Sequence, residues 1–280
     1  MSPRGFLTLA AAREAHPDVR VLDVRDAEAF ARGHAPGAGH CPLERFAERR
    51  MELPARAVPV LCVHDDSARA QEAAERLTAL GFMHAGWLAA PLAHDAEGTL
   101  DRAPAARLWS PSAFLERVTP RLTRGRALDL ASGTARTAIW LALHGHEAEA
   151  WDVDPSALAR ATAFGERSGV RLTTRVADLE RGALPEVEAA FDTVVVQRYL
   201  HRPLWPWIER ALAPHGTLVV ETFLRGQERF GHPSRDRHLL ERGELAATFA
   251  HWRLEVLEED AGDEPPVMAR LLARRDGPSA

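Results

Sequence analysis

Three aspartates stand where a carboxylate can do chemistry. Asp129 lies in the apolar run Ala127-Leu128-Asp129-Leu130, Asp152 follows Trp151 23 residues further on, and Asp178 follows Val176-Ala177. A carboxylate at a strand end can accept hydrogen bonds from two neighbouring donors as a bidentate pair. Between the first two lies Ala131-Ser132-Gly133-Thr134-Ala135-Arg136, a turn of small residues. A second cluster, Gln197-Arg198-Tyr199-Leu200-His201-Arg202, sets the only tyrosine of the chain beside a histidine and two arginines. Tyr199 either positions a substrate or packs. His201 either takes a proton as general base, since imidazole titrates near neutrality, or caps the next helix. Arg198 and Arg202 either hold an anion or are surface charge. Trp205 and Trp207 read as helix packing or as an acceptor cage. A third group is Cys62 and His64, at the end of Pro59-Val60-Leu61-Cys62-Val63-His64.

Alternating strands and helices must carry these groups. Val19–Arg25 and Val58–Val63 are apolar runs suited to buried parallel strands. Ser67–Leu80 puts Ala70, Ala73, Ala74, Leu77 and Leu80 on one helical face, and Gly81 stops it. Beyond residue 127 strands are expected at Ala127–Leu130, Glu147–Trp151, Arg171–Val176, Thr193–Gln197, Thr217–Thr222, Arg253–Glu258 and Val267–Ala273. Asp154-Pro155 caps and opens the helix after the second of these. The pattern implies α/β architecture, with a parallel sheet covered on both faces and ligands at the strand C-terminal ends.

Composition removes other chemistries. The 280 residues include no lysine and no asparagine, so all 35 basic residues are arginine. A Schiff-base lysine, a GxxxxGK[ST] phosphate loop and an N-glycosylation sequon are excluded. So is the Asn-Pro-Pro-aromatic motif of many amino-group methyltransferases. A net charge of -5 argues against a nucleic-acid partner. Two cysteines make neither a disulfide scaffold nor a zinc knuckle, so no metal is expected and a reducing, cytoplasmic setting fits. No apolar run approaches membrane-spanning length, and Phe6–Ala12 is too short for a convincing signal peptide.

Val21-Leu22-Asp23-Val24-Arg25, Glu28-Ala29-Phe30, Gly33-His34-Ala35-Pro36-Gly37-Ala38 and the strand and helix up to Leu80-Gly81-Phe82 together resemble the rhodanese-like domain. In that family the strand ends at a catalytic Cys that carries a persulfide within a cradle of backbone N–H groups. Counting back from Ala73-Ala74 and Leu77 puts His64 at that position. Cys62 lies two residues earlier, about 7 Å deeper in the strand. Asp65 and Asp66 make the loop acidic, which opposes a thiolate, while Arg69 keeps the family's basic position. The resemblance implies an inactive sulfurtransferase module, with Cys41 and Cys62 packing and His64 open to a metal or phosphate role. The alternative is a register shift that makes Cys62 the nucleophile.

Gly125-Arg126-Ala127-Leu128-Asp129-Leu130-Ala131-Ser132-Gly133-Thr134-Ala135-Arg136 resembles the first motif of class I S-adenosylmethionine methyltransferases. Only Gly133 of three glycines survives, and Ala131 and Ala135 are expected to keep negative φ. Asp152-Val153, Ala177-Asp178-Leu179, Phe191–Val196 and Leu212–Thr222, with His215 where glycine is common, follow in the family's order. The resemblance implies S-adenosylmethionine as cofactor, held by Asp129, Ala131, Ser132, Gly133, Arg136, Asp152, Val153, Asp178, Leu179 and Gln197. Asp178 would lie near the adenine amino group, and His201, Tyr199 and Arg198 would serve the acceptor. Glu221-Thr222-Phe223, Gly226–Gly231 and Leu239–Leu245 resemble a bacterial subgroup related to the tellurite-resistance and thiol methyltransferases.

The expectation is therefore a rhodanese-like parallel-sheet domain over 1–90, a linker over 91–107 and a Rossmann-like, seven-stranded methyltransferase domain over 108–280. It would methylate a small-molecule acceptor, a thiol or other chalcogen compound among the candidates, with the first module used for docking or homodimerisation. Two alternatives stand beside this. One is a non-catalytic S-adenosylmethionine-binding regulator. The other is a sulfurtransferase using Cys62.

Overall fold

The computed structural model describes residues 2–90, 100–182 and 184–277. Two units divide the chain, one ending at Ser110 and the other beginning at Pro111.

The first unit holds five strands: β1 Arg4–Phe6, β2 Arg20–Asp23, β3 Gly39–His40, β4 Val60–Val63 and β5 Ala85–Leu88. Their order is β1-β5-β4-β2-β3, and every pair is parallel. β4 is buried along its whole length because strands flank it and both sheet faces are covered. The helix Ser67–Ala79 buries Ala70, Ala73, Ala74 and Leu77 of the face read from the sequence, whereas Leu80, read with them, is the C-cap and is exposed. β1, β3 and β5 escaped the sequence reading, since runs of two to four residues carry too little period.

Most of the expected linker lies outside the described residues. Its later part belongs with the first unit. His34 and Asp101 exchange backbone hydrogen bonds at 3.0 and 2.8 Å, and the Ala106 N–H donates to the Ala38 carbonyl. Leu108, expected to open the second domain, is buried in the first unit's core and leaves no room for a Cβ at Gly39.

The second unit holds seven strands: β6 Arg126–Leu130, β7 Glu147–Asp152, β8 Thr173–Val176, β9 Phe191–Gln197, β10 Leu212–Phe223, β11 Arg253–Glu259 and β12 Met268–Arg274. The order is β11-β12-β10-β9-β6-β7-β8. All seven match strands read from the sequence. The sheet departs from a wholly parallel one at β12, which runs antiparallel to both β10 and β11. No helix separates β11 from β12, so the chain turns back on itself there. Strand order reverses between β6 and β9, and the loops leaving that switch point form the site.

Candidate functional site

β6 is buried from Ala127 to Leu130, so the chain emerges at its end into a short loop before the helix Arg136–Leu143. That loop is left-handed three times, at Ala131 (φ 54°), Gly133 (55°) and Ala135 (56°). The expectation of negative φ at the two alanines is overturned. Each holds a conformation that costs an L-residue about 1–2 kcal/mol relative to glycine. Asp152, at the end of β7, holds the loop from outside. Its carboxylate accepts from the Gly133 N–H at 2.7 Å and from the Asp154 N–H at 2.9 Å. Nothing lies within 4 Å of where a Gly133 Cβ would be, so the loop faces open space.

A cavity of about 240 Å³ opens beside this loop, lined by Ala131, Asp152, Val153, Asp178, Leu179 and Tyr199 among others. Val153 is an apolar side chain left 61% exposed there. Asp178 accepts from the N–H groups of Glu180 and Arg181, and these bonds hold its carboxyl below the usual range. A second cavity, of about 710 Å³, is lined by Arg198, Tyr199, Thr222, Phe223, His232 and Arg235 among others. Tyr199 and Glu180 line both. The Tyr199 hydroxyl is buried without a hydrogen-bond partner. Burial, with the carboxylates of Glu180, Asp178 and Asp152, pushes it up to about 12. It therefore remains a neutral donor. Ser132 Oγ and Thr222 Oγ1 are also buried and unpartnered. Such groups cost roughly 1–3 kcal/mol each unless something bonds them.

The loop after β4 in the first unit is built differently. The Asp66 N–H donates to His64 Nδ1 at 2.9 Å, and the Ala68 N–H donates to Asp66 Oδ1 at 2.9 Å. Asp65 pairs with Arg25, which is buried against Asp23 at 2.7 Å. Arg69, at the family's basic position, pairs with Glu44 and Glu72. Cys62 is wholly buried, and burial pushes its thiol well above the ordinary range. A buried, protonated thiol is a poor nucleophile, which argues against the alternative built on Cys62.

Residues 7–89 match the family model of the rhodanese-like domain, and residues 127–216 match that of the methyltransferase domain. The chain carries a rhodanese-like domain followed by a methyltransferase domain. No curated protein matches the chain. Among solved structures it is similar to TehB from Haemophilus influenzae, at 16% identity over 60% of this chain and 63% of that one, with a TM-score of 0.50. It is similar to an S-adenosylmethionine dependent methyltransferase from Mesorhizobium loti, at 19% identity over 59% and 99% of the two chains, with a TM-score of 0.47. A third similar structure concerns conversion of a disulfide bond into a thioacetal group during echinomycin biosynthesis, at 23% identity over 60% and 83%, with a TM-score of 0.48. At these identities the likeness is one of fold.

Within the methyltransferase domain the expected site residues divide. Ala131, Asp152, Val153, Asp178, Leu179, Arg198 and Tyr199 line the two cavities. Gln197 lines neither. Its amide is committed to Thr137 Oγ1 at 2.5 Å, Ser112 Oγ at 2.8 Å and Glu221 at 2.9 Å. Asp129 is buried behind the loop, where it accepts from the Ala138 N–H. Arg136 is half-buried, and burial together with nearby Arg198 pushes its guanidinium down. His201 lies outside both linings, and its side chain makes no cap bond at the start of Arg202–Leu204. Arg202 is held by Glu244, at 2.5 and 2.8 Å, and by the Leu239 carbonyl, so it is a strut rather than an anion site. Trp205 and Trp207 are buried, Trp207 donating to the Pro185 carbonyl, which removes the cage reading.

Thr222, His232, Arg235 and His238 line the larger cavity and were not anticipated as site residues. The segment His232-Pro233-Ser234-Arg235 has no helical or strand period. A histidine and an arginine beside a proline in such a stretch were the only signal available.

Proposed function

We propose that the methyltransferase domain binds S-adenosylmethionine in the smaller cavity and methylates a small-molecule acceptor held in the larger one. The observation that carries this is the pair of adjoining cavities at the switch point, with Tyr199 lining both and its hydroxyl left without a partner. The lining of the smaller cavity fits the cofactor. Asp152 keeps lone pairs for two ribose hydroxyls after accepting two amides. Val153 and Leu179 offer apolar surface to an adenine, and Asp178 faces the same cavity. The unpartnered Ser132 hydroxyl and the open space at Gly133 suit a polar ligand lying against the loop.

When bound, the sulfonium supplies a methyl group to the acceptor's nucleophilic atom, the electron pair of the broken carbon–sulfur bond staying on sulfur. The protein's own part is proximity and orientation. Tyr199 holds its proton and donates from Oη toward whatever lies between the cavities. A thiol or other chalcogen acceptor suits a site whose expected base, His201, lies outside both linings, because a soft nucleophile needs little base assistance. The rhodanese-like domain, with His64 at the position of the family's nucleophile, performs no sulfur transfer in this reading.

Isothermal titration of the full chain with S-adenosylhomocysteine tests the proposal. Micromolar binding, lost in Asp152→Ala, is expected. Folded protein that does not bind overturns it.

A further inference from the structure

We propose that the acceptor is an organic acid, with an apolar body on Leu200, Phe223 and Pro233 and a carboxylate between the guanidinium groups of Arg198 and Arg235. The inference rests on the methyltransferase reading and specifies the ligand of its larger cavity.

Size is the first argument. About 710 Å³ is far more than a methylthiol or an inorganic oxyanion fills. Pockets of roughly 300–1,000 Å³ take ligands of some tens of atoms. Charge is the second. Two arginines close in sequence to the lining segments are already paired. Arg202 is held by Glu244, and Arg225 by Asp236 and Glu241. Arg198 and Arg235 line the cavity and have no ion-pair partner among the described residues. Glu180 is the one carboxylate in the lining, and it sits on the wall shared with the smaller cavity. A planar guanidinium pair matches a carboxylate by bidentate hydrogen bonds and stays charged at any working pH.

Two further observations point to a ligand. Thr222 is 1% exposed, lines this cavity and has a hydroxyl with no partner. Arg198 holds a left-handed backbone, φ 53°, fixed by its N–H donating to the Glu221 carbonyl at 2.7 Å. A strained non-glycine residue persists where its surroundings over-determine it, and such residues cluster at ligand clamps.

The test is titration of the full chain, saturated with S-adenosylhomocysteine, with benzoate, phenylacetate and 3-phenylpropionate, each beside its neutral amide. At least one acid should bind about 10-fold or more tightly than its amide, the worth of one charge-assisted contact. Arg198→Gln and Arg235→Gln should each erase that preference. S-adenosylhomocysteine affinity and melting temperature should not change, since both side chains are exposed. Acids and amides binding alike, or no acid binding, overturns this inference alone. Absence of S-adenosylhomocysteine binding overturns the methyltransferase reading and this inference with it.

Discussion

The loops after β4 and β6 follow the same construction, a buried parallel strand that turns into a helix at its C-terminal end. They differ in where their polar groups go. After β4, the amides of Asp66 and Ala68 are taken by His64 and Asp66, and Asp65 is paired with Arg25. After β6, the Gly133 amide is held from a neighbouring strand by Asp152 and the Ser132 amide by the Trp151 carbonyl, and the Ser132 hydroxyl is left without a partner. A strand-to-helix turn is left open to a ligand when groups on a neighbouring strand hold its shape and a side-chain hydroxyl of its own stays unspent. The loop after β4 is held instead by its own side chains, His64 and Asp66.

The largest effect expected of breaking this contrast is at Asp152. Asp152→Ala removes both the loop's anchor and the diol acceptor, and should weaken S-adenosylhomocysteine about 100-fold or more, as two charge-assisted contacts would. Unchanged affinity by calorimetry would mean that the second loop is as closed as the first.

Asp129 gives the next effect. Burial, reinforced by Asp152 and opposed by the Ala138 N–H, pushes its carboxyl up to about 8. Its folded value lies above the unfolded value of about 4. The protonated acid therefore contributes fully below about pH 4, and that contribution is lost as pH rises to about 8. Asp129→Asn should melt higher than the parent at pH 9, by roughly 5 °C or more, and equally at pH 4. Melts that shift by the same amount at both pH values would refute the burial of an ionising group there.

In the first loop, Asp66→Ala should cost about 1 kcal/mol through loss of the helix cap, measured by urea unfolding. It should leave S-adenosylhomocysteine affinity intact. Cyanide–thiosulfate activity should be at background in the parent, in Asp66→Ala and in Cys62→Ala alike. Any activity that Cys62→Ala removes would reopen the first loop as a site.

The smallest effect is a gain. Ala131→Gly relieves a left-handed alanine and should stabilise the protein by up to about 1 kcal/mol without loss of ligand. A loss of stability in the same unfolding assay would mean that the alanine methyl group supports the loop.

The central strands of the second unit were legible because β6, β9 and β10 are apolar runs buried along most of their length, and a buried parallel strand leaves that mark whatever surrounds it. Asp152, Asp178 and the small-residue turn could be named from residue type and spacing. Gln197 and His201 could not be judged from position alone. Both stand near the end of β9, yet the Gln197 amide is spent on Thr137, Ser112 and Glu221, and His201 lines neither cavity. Arg198 and Arg202, four residues apart, looked equivalent, and they are separated by the cavity that Arg198 lines and by the Glu244 and Leu239 partners of Arg202. The rim of the larger cavity came from an aperiodic segment that pattern cannot place.

From sequence alone came the order of two α/β units, the seven strands of the second, and the absence of lysine chemistry. These are properties of local pattern and residue type, which survive in one dimension. Tertiary structure decided which polar groups are free. It also decided backbone hand: Ala131, Ala135 and His215 keep left-handed φ of 54°, 56° and 63° at positions where the resembling family uses glycine. The Ser132 N–H donates to the Trp151 carbonyl beside Ala131, and the His215 N–H donates to the Arg275 carbonyl, so contacts distant in sequence hold the backbone at those two positions. Long-range contacts of that kind are written in no local run of sequence.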